Sequence, residues 1–190
     1  MKAKKKSSAK AKILSSKVVY KGPAFTVTTD HVREPGGVTS RRDIAHHPGS
    51  VVILAVDDSG REPKVLLARQ YRHAARRYLR ELPAGRIDDG ESTLAAAKRE
   101  LAEETGYSAK HWKRIQFYWP SPGFLDETMS VYMAKGLTRG TATPEEDENI
   151  TIRFYPVSEA VRMAAGGTLL DGKTISAILW LWHEMTRHGR

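Results

Sequence analysis

The segment GRIDDGESTLAAAKRELAEETGY, at residues 85–107, constrains the fold more than any other part of the chain. Apolar residues recur at helical spacing between Leu94 and Leu101, which predicts an amphipathic helix. Ser92 before this stretch and Gly106 after it are residue types that begin and end helices. The apolar stripe would pack on a sheet, so the segment indicates a domain that combines helices with strands.

Three glutamates lie beside the apolar stripe of this helix. Glu100 and Glu104 are four residues apart and share a face, with Glu103 next to them. Like charges at this spacing cost about 0.2–0.5 kcal/mol, and Arg99 relieves part of the repulsion by pairing with Glu103. A divalent cation bound by Glu100 and Glu104 would relieve more, and carboxylate oxygens suit Mg²⁺ or Mn²⁺. An acidic helix face is more often only solvated, so this pattern alone leaves metal binding open.

The complete spacing of the segment resembles the Nudix box, the signature of the Nudix hydrolases. Gly85 and Glu91 precede the run RELAEETGY, at residues 99–107, at the intervals of the family motif. The family cleaves a nucleoside diphosphate linked to another moiety and uses a divalent metal. The resemblance implies an α/β fold, the Nudix α/β/α sandwich with a mixed sheet, preceded here by a small N-terminal antiparallel β-sheet.

The resemblance also implies roles for the residues of the box. The metal ligands would be the Ala84 carbonyl and the carboxylates of Glu100, Glu104 and Glu103. Arg99 would orient the glutamates, and Glu103 would help to bind metal or water. Glu91 would secure the junction between loop and helix. Gly85 and Gly106 would allow backbone conformations that a side chain disfavours.

Features outside the box resemble the ADP-ribose pyrophosphatase branch of the family. Pro122 lies 16 residues beyond Gly106, the position that marks this branch. The other features are RQYR (69–72), ELPAG (81–85), the acidic loop PEEDENI (144–150) and DGKTI (171–175). Together the similarity spans roughly residues 14–185.

From this resemblance we expect Arg69 or Arg72 to clamp the diphosphate, since a guanidinium group matches phosphate oxygens bidentately. The other residues expected at the substrate are Glu81, Gly123 and Glu127. A mobile carboxylate of the acidic loop would activate water. Glu146 is the first candidate for this base, with Glu148 and Glu127 as alternatives. Taken alone, the arginines could be a solvated strand end and the acidic stretch a solvated loop.

Charge is distributed unevenly along the chain, which has 190 residues, a formal net charge of +9 and no cysteine. The absence of cysteine excludes a disulfide scaffold and a thiolate zinc site. Residues 1–17 hold seven lysines and no acid, which leaves 24 basic against 22 acidic residues in the remainder. This composition predicts a disordered basic tail over residues 1–17, which solubilises the protein or makes weak contact with nucleic acid.

The rest of the chain divides into two predicted regions. Residues 18–46 alternate polar and apolar side chains and are expected to form the N-terminal β-sheet, and residues 47–190 the Nudix domain. Further strands are expected at 51–56, 64–71, 112–118, 129–134 and 150–155, and further helices at 158–165 and 174–186.

The expected reaction is Mg²⁺-dependent hydrolysis of ADP-ribose, a nucleotide diphosphate, to AMP and ribose 5-phosphate, with Mn²⁺ as an alternative metal. The resemblance implies a homodimer in which residues 18–46 pack against, or are exchanged with, the partner. The sequence contains no membrane-spanning run or secretory signal, so we expect a cytoplasmic protein without a membrane partner. The alternatives are another Nudix substrate, such as GDP-mannose, another nucleotide sugar or a dinucleoside polyphosphate, or a nucleic-acid-binding or regulatory module on the same fold.

Overall fold

The computed structural model describes residues 10–143 and 149–188 of the chain. Within these ranges the backbone forms ten β-strands, three α-helices and a short 3-10 helix at His73–Ala75. The chain divides into two compact units. The first contains the part of the chain up to His47 together with Ser121–Glu127, and the second contains Pro48–Pro120 and the part from Thr128 onward.

The first unit is built on a three-stranded antiparallel sheet, as the alternating pattern predicted. Its strands are β1 (Lys12–Lys21), β2 (Thr26–Arg33) and β3 (Thr39–His46), and they lie in chain order. Turns close the two hairpins, with Gly22 N donating to Phe25 O at 3.0 Å and Glu34 N donating to Val38 O at 2.8 Å. The Pro-Gly-Gly sequence at residues 35–37 lies in the second turn.

The first strand starts at Lys12, inside the segment 1–17 for which the composition predicted disorder. Its backbone pairs with β2 from Lys12, opposite Arg33, to Lys21, opposite Thr26. The Ser16 hydroxyl also donates to the Asp30 carboxylate at 2.6 Å. The prediction relied on the number of lysines and overlooked the apolar residues among them, which continue the strand pattern. Hydrogen bonds to β2 satisfy the backbone groups of this segment. Residues 1–9 of the predicted tail lie outside the described ranges.

The second unit is built on a mixed sheet with the strand order β10-β5-β4-β9-β8, with β6 paired to β5 and β7 paired to β4. The pair β4–β9 is parallel and the other pairs are antiparallel. The strands are β4 (Ser50–Asp57), β5 (Lys64–Arg72), β6 (Arg77–Glu81), β7 (Ala84–Arg86), β8 (Tyr107–Tyr118), β9 (Met129–Arg139) and β10 (Thr151–Pro156).

Helices cover both faces of this sheet. They are α1 (Thr93–Thr105), α2 (Val157–Ala165) and α3 (Gly172–His188). On β4, Val51 and Ile53 pack with α1, whereas the alternate residues Val52 and Leu54 pack with α2 and α3. The strand is therefore buried on both sides, and the predicted α/β/α sandwich with a mixed sheet is confirmed. Among the described residues, no helix combines the length and the apolar character needed to cross a membrane.

The structure departs from the sequence expectation mainly at element boundaries. The strands β6 and β7 were not predicted, because β6 does not alternate polar and apolar side chains and β7 has only three residues. Strand β8 starts directly after α1, at Tyr107, rather than at Trp112. Helix α2 starts at Val157, one residue before its predicted start at residue 158.

Candidate active site

Helix α1 carries the acidic residues of the box, and capping groups fix its two ends. The Ser92 side chain accepts a hydrogen bond from Ala95 N at 3.2 Å. At the other end Gly106 adopts a φ of 72°, and its N–H donates to Ala102 O at 2.8 Å. A Cβ at Gly106 would lie 2.7 Å from Ala142 N. A side chain here would meet backbone as well as an unfavourable φ, so glycine is required.

Arg99 is the centre of the ionic network on α1. Its Nε and Nη2 donate to the two carboxylate oxygens of Glu91, at 3.1 and 3.0 Å. Its Nη1 donates to Glu100 at 2.8 Å and to Glu103 at 3.0 Å, and Nη2 also donates to Arg86 O at 3.0 Å. The hydrogen bonds with Glu91 raise the pKa of Arg99 and lower the pKa of Glu91. One guanidinium group thus connects the loop before the helix to two of its carboxylates.

The Glu100 carboxylate lies directly against the backbone of β7. A Cβ added at Gly85 would overlap all three atoms of that carboxyl group. Glycine at this position therefore gives Glu100 its place next to the backbone that follows Ala84. One turn further along α1, Glu104 is only 7% exposed. Two carboxylates of one helix face are thereby held at the edge of the core.

The donor set at this position fits a hard divalent cation. Carboxylate oxygens and a backbone carbonyl are the groups that Mg²⁺ and Mn²⁺ prefer, and the missing side chain of Gly85 brings Glu100 beside the backbone. In the described ranges, no group of three or more histidine, aspartate or glutamate side chains is arranged around a common point as a metal site. Glu100 and Glu103 instead face the Arg99 guanidinium. A bound cation would share these carboxylates with Arg99.

Glu81, at the end of β6, belongs to a second ionic network. Its carboxylate is 3% exposed and accepts two hydrogen bonds from Arg72, both at 2.9 Å. It also accepts one from Lys173 at 2.6 Å, and Lys173 bonds to Asp171 at 2.9 Å. Burial opposes the charged form, but the bonds from Arg72 and Lys173 hold the pKa of Glu81 below its ordinary value.

The start of α3 fixes the segment that leads to the box. The Thr174 hydroxyl donates to Asp171 and accepts from Leu82 N at 2.8 Å. Leu82 is thereby anchored shortly before Ala84 and Gly85. The sequence match DGKTI marked this region, but nothing in it assigned a role to Lys173 or Thr174, because their partners lie 92 residues away.

The two arginines expected to clamp the diphosphate lie on opposite faces of β5. Arg72 shares its face with Leu66, which packs with α1, and bonds to Glu81. That bond raises the pKa of Arg72, and the nearby charge of Glu104 contributes. Arg69 shares its face with Leu67 on the other side of the sheet. The structure therefore brings Arg72, and not Arg69, to the carboxylates of α1.

Four further residues were predicted for the site. Gly123 and Glu127 belong to the segment Ser121–Glu127 of the first unit. There, Glu127 lies 3.7 Å from His47 Nδ1. Glu146 and Glu148 lie outside the described residues. The identity of the catalytic base therefore stays a prediction from the sequence.

Comparison with known proteins decides the family. A NUDIX domain model matches residues 46–177. The chain belongs to the Nudix family. This Nudix protein is 39% identical over 170 residues to the ADP-ribose pyrophosphatase of Mycobacterium tuberculosis. The alignment covers 87% of this chain and 80% of the relative. It is 34% identical over 172 residues to the ADP-ribose pyrophosphatase of Bacillus subtilis, covering 90% and 91% of the two chains.

A solved structure gives the same result for the fold. The crystal structure of an ADP compounds hydrolase superposes with a TM-score of 0.81 over 96% of this Nudix chain and 97% of its own, at 22% identity. Family and relatives identify a Nudix pyrophosphohydrolase and confirm the resemblance to the ADP-ribose pyrophosphatase branch. Nudix ADP-ribose pyrophosphatases depend on a divalent metal.

Proposed function

We propose that this Nudix protein hydrolyses ADP-ribose to AMP and ribose 5-phosphate with Mg²⁺ as the metal. Relatives named for this activity align over most of both chains, which supports the substrate. The observation that carries the reaction type is the Glu100 carboxylate held against Gly85, one turn from the buried Glu104. Like charges one turn apart on a helix disfavour each other, and a bound metal would compensate them.

The proposed metal ligands are the Ala84 carbonyl and the carboxylates of Glu100, Glu103 and Glu104. A divalent metal held by these groups would supply neutralisation of the diphosphate charge and activation of water. Arg99 keeps Glu100 and Glu103 on one side of α1 through its Nη1 group. Its two bonds to Glu91 fix the guanidinium, so the carboxylates are oriented before substrate binds.

Arg72 is the residue that we assign to the diphosphate. Glu81 accepts from its Nε and Nη2, so Nη1 is the group assigned to a phosphate oxygen. Because Lys173 also bonds to Glu81, a second cation stands beside the same carboxylate and adds positive potential for an anionic substrate. In this proposal Glu81 positions Arg72 and does not itself contact substrate.

We keep Glu146 as the first candidate for the base that activates water, with Glu148 and Glu127 as alternatives. Gly123 and Glu127 remain proposed substrate residues from the resemblance alone. The chemistry that supports a loop carboxylate is general base catalysis, which requires a group that reaches the attacking water.

The substrate assignment is tested by a panel of Nudix substrates. We expect kcat/KM with Mg²⁺ to be at least about tenfold higher for ADP-ribose than for GDP-mannose or a dinucleoside polyphosphate, a difference of about 1.4 kcal/mol in transition-state binding. Chromatographic separation of the products gives both rate and cleavage position. A higher kcat/KM for GDP-mannose would refute ADP-ribose as the substrate and leave the reaction type standing.

We also propose that the protein is a homodimer assembled through the first unit. Strand β1 exposes a set of large apolar side chains to solvent, each between 44% and 60% exposed: Ile13, Leu14, Val18, Val19 and Tyr20. Several large apolar side chains exposed along one strand are typical of an interface. Light scattering should give a dimer mass, and the double substitution Val18→Asp and Tyr20→Asp should give a monomer. A monomeric mass for the unmodified protein would contradict the proposal.

Two further sequence expectations stay proposals. The lysines of residues 1–17 support weak contact with nucleic acid, through an electrostatic interaction that salt would suppress. Binding to a labelled oligonucleotide that survives deletion of residues 1–9 would contradict a role for the outer lysines. A cytoplasmic location stays a prediction from the sequence.

A further inference from the structure

Three arginines of the second unit line an open cavity of ≈ 280 Å³. They are Arg69 on β5, Arg80 on β6 and Arg153 on β10, and Thr151 and Tyr155 complete the wall. We call this cavity the arginine groove. None of its residues belongs to the Nudix box, and the side chains of Arg80 and Arg153 have no part in the proposed hydrolysis.

Strand register places the three side chains on one face of the sheet. Arg69 is paired with Arg80 on one side and with Thr151 on the other. Arg153 is paired with Leu67, two residues along β5 from Arg69. Paired residues of antiparallel strands point to the same face, as do residues two apart.

This face is the one opposite to α1. Leu67 and Tyr155 belong to the core formed with α2 and α3, whereas Leu66 belongs to the core formed with α1. The sheet therefore separates the arginine groove from Glu100 and Glu104. A ligand in the groove cannot be the diphosphate that those carboxylates would process.

Aromatic side chains hold each guanidinium group in the groove. Arg69 lies over the ring of Tyr78, 3.8 Å from its centroid, and Arg153 lies over the ring of Tyr155 at 4.9 Å. Arg80 Nε donates to the Tyr155 hydroxyl at 3.2 Å. Stacking occupies the face of a guanidinium and leaves its N–H edge for acceptors. The three donors are thus oriented before any ligand binds.

The charges in the groove are not compensated by the described part of the chain. Within residues 10–143 and 149–188, these three guanidinium groups form no ion pair with a carboxylate. Arg72 and Arg99, by contrast, each bind glutamates. Arg69 and Arg80 are directly opposite in the sheet, an arrangement that is unfavourable for like charges. An anion that accepts from both would remove this repulsion.

We propose that the arginine groove binds the phosphate groups of a small phosphorylated anion, at a site separate from the hydrolytic carboxylates. Guanidinium groups match phosphate oxygens bidentately, and three of them suit a diphosphate or a phosphate monoester. The cavity volume lies just below the range of sites for drug-sized molecules, which fits a ligand as small as a diphosphate. A nucleic-acid strand is disfavoured, because residues 18–190 hold 24 basic against 22 acidic residues and offer little net positive charge for a long polyanion.

Titration calorimetry of the metal-free full-length protein tests the proposal, with inorganic pyrophosphate and AMP as separate probes. The double substitution Arg80→Gln and Arg153→Gln should weaken binding of at least one probe by about tenfold or more, since it removes charge-assisted hydrogen bonds. The matched control is Arg114→Gln, an exposed arginine on β8 at the other edge of the sheet, which should leave the affinity unchanged. Equal affinities for both probes in the double variant and the unmodified protein would overturn the proposal, as would an equal loss in the control.

A second measurement needs no substitution in the groove. In nitrogen-15 NMR spectra of the unmodified protein, the Nε–H signals of Arg69, Arg80 and Arg153 should shift on titration with the probe that binds. Shifts confined to Arg72 and Arg99 would place the anion at the hydrolytic site and overturn the proposal. A short single-stranded oligonucleotide that binds more tightly than either probe, and loses that binding in the double variant, would also overturn the small-molecule assignment.

Discussion

Glu104→Gln is expected to lower kcat for ADP-ribose hydrolysis by about 100-fold or more, because it removes charge from the reacting centre without changing the shape of the side chain. Glu104 is 7% exposed and lies one helical turn from Glu100. A carboxylate at this position does not serve the stability of the fold, since a buried like-charge pair costs free energy of folding. A role in binding metal explains why the helix carries it.

The variant has a matched control and a second readout. Glu159→Gln makes the same chemical change in the first turn of α2, on the opposite face of the sheet, and should leave kcat unchanged. Without metal, Glu104→Gln removes the repulsion by Glu100 and also the attraction to Arg72, so the melting temperature should change little. Paramagnetic resonance should show weaker Mn²⁺ binding. Unaltered turnover would contradict the ligand assignment, and a lower melting temperature would indicate a structural role instead.

Glu81→Gln should destabilise the protein by about 3 kcal/mol, as expected when one partner of a buried ion pair is removed. Glu81 is 3% exposed and accepts from both Arg72 and Lys173, so the variant leaves two cations beside a neutral amide. Glu34→Gln is the matched control. Glu34 also pairs with an arginine, Arg42, but at the surface, so its loss should be much smaller. Urea unfolding curves measure both.

Acidification should show how much the Glu81 carboxylate contributes to the free energy of unfolding. The pKa of Glu81 lies below its ordinary value of 4.5, since the bonds from Arg72 and Lys173 outweigh burial. The unfolded chain therefore takes up its proton first, and the stabilisation is complete above about pH 4.5 and is lost as the pH falls through the folded pKa. The free energy of unfolding should fall less steeply on acidification in Glu81→Gln than in the unmodified protein. Equal slopes, or equal stability at neutral pH, would contradict a stabilising role for this network.

The acidic helix could be predicted from the sequence because its determinants are local. The apolar spacing, the cap at Ser92 and the stop at Gly106 all lie within one segment, and the structure has the helix between them. The buried strand β4 was predictable for the same reason, since a run of apolar residues between turns describes a strand covered on both sides. The mixed sheet followed from these elements and from the family resemblance.

Features that depend on distant partners could not be predicted. Arg69 and Arg72 point to opposite faces of the sheet. Which of them lies on the side of α1 depends on how β5 packs between α1 and the other two helices. Lys173 can bond to Glu81 only because the fold places the start of α3 beside this residue. The two residues are 92 positions apart in the sequence. The prediction of disorder was wrong for the part of residues 1–17 that lies in β1. A lysine count carries no information about the backbone hydrogen bonds that β2 supplies to this strand.

Hydrolysis of ADP-ribose by the full-length protein, measured as the concentration of free Mg²⁺ is varied, tests directly whether this Nudix protein is a metal-dependent ADP-ribose hydrolase. We expect no turnover with a chelator present, turnover that saturates with Mg²⁺, and AMP and ribose 5-phosphate in equal amounts. Turnover that persists in the chelator, or saturating Mg²⁺ without any cleavage of ADP-ribose, would contradict this expectation.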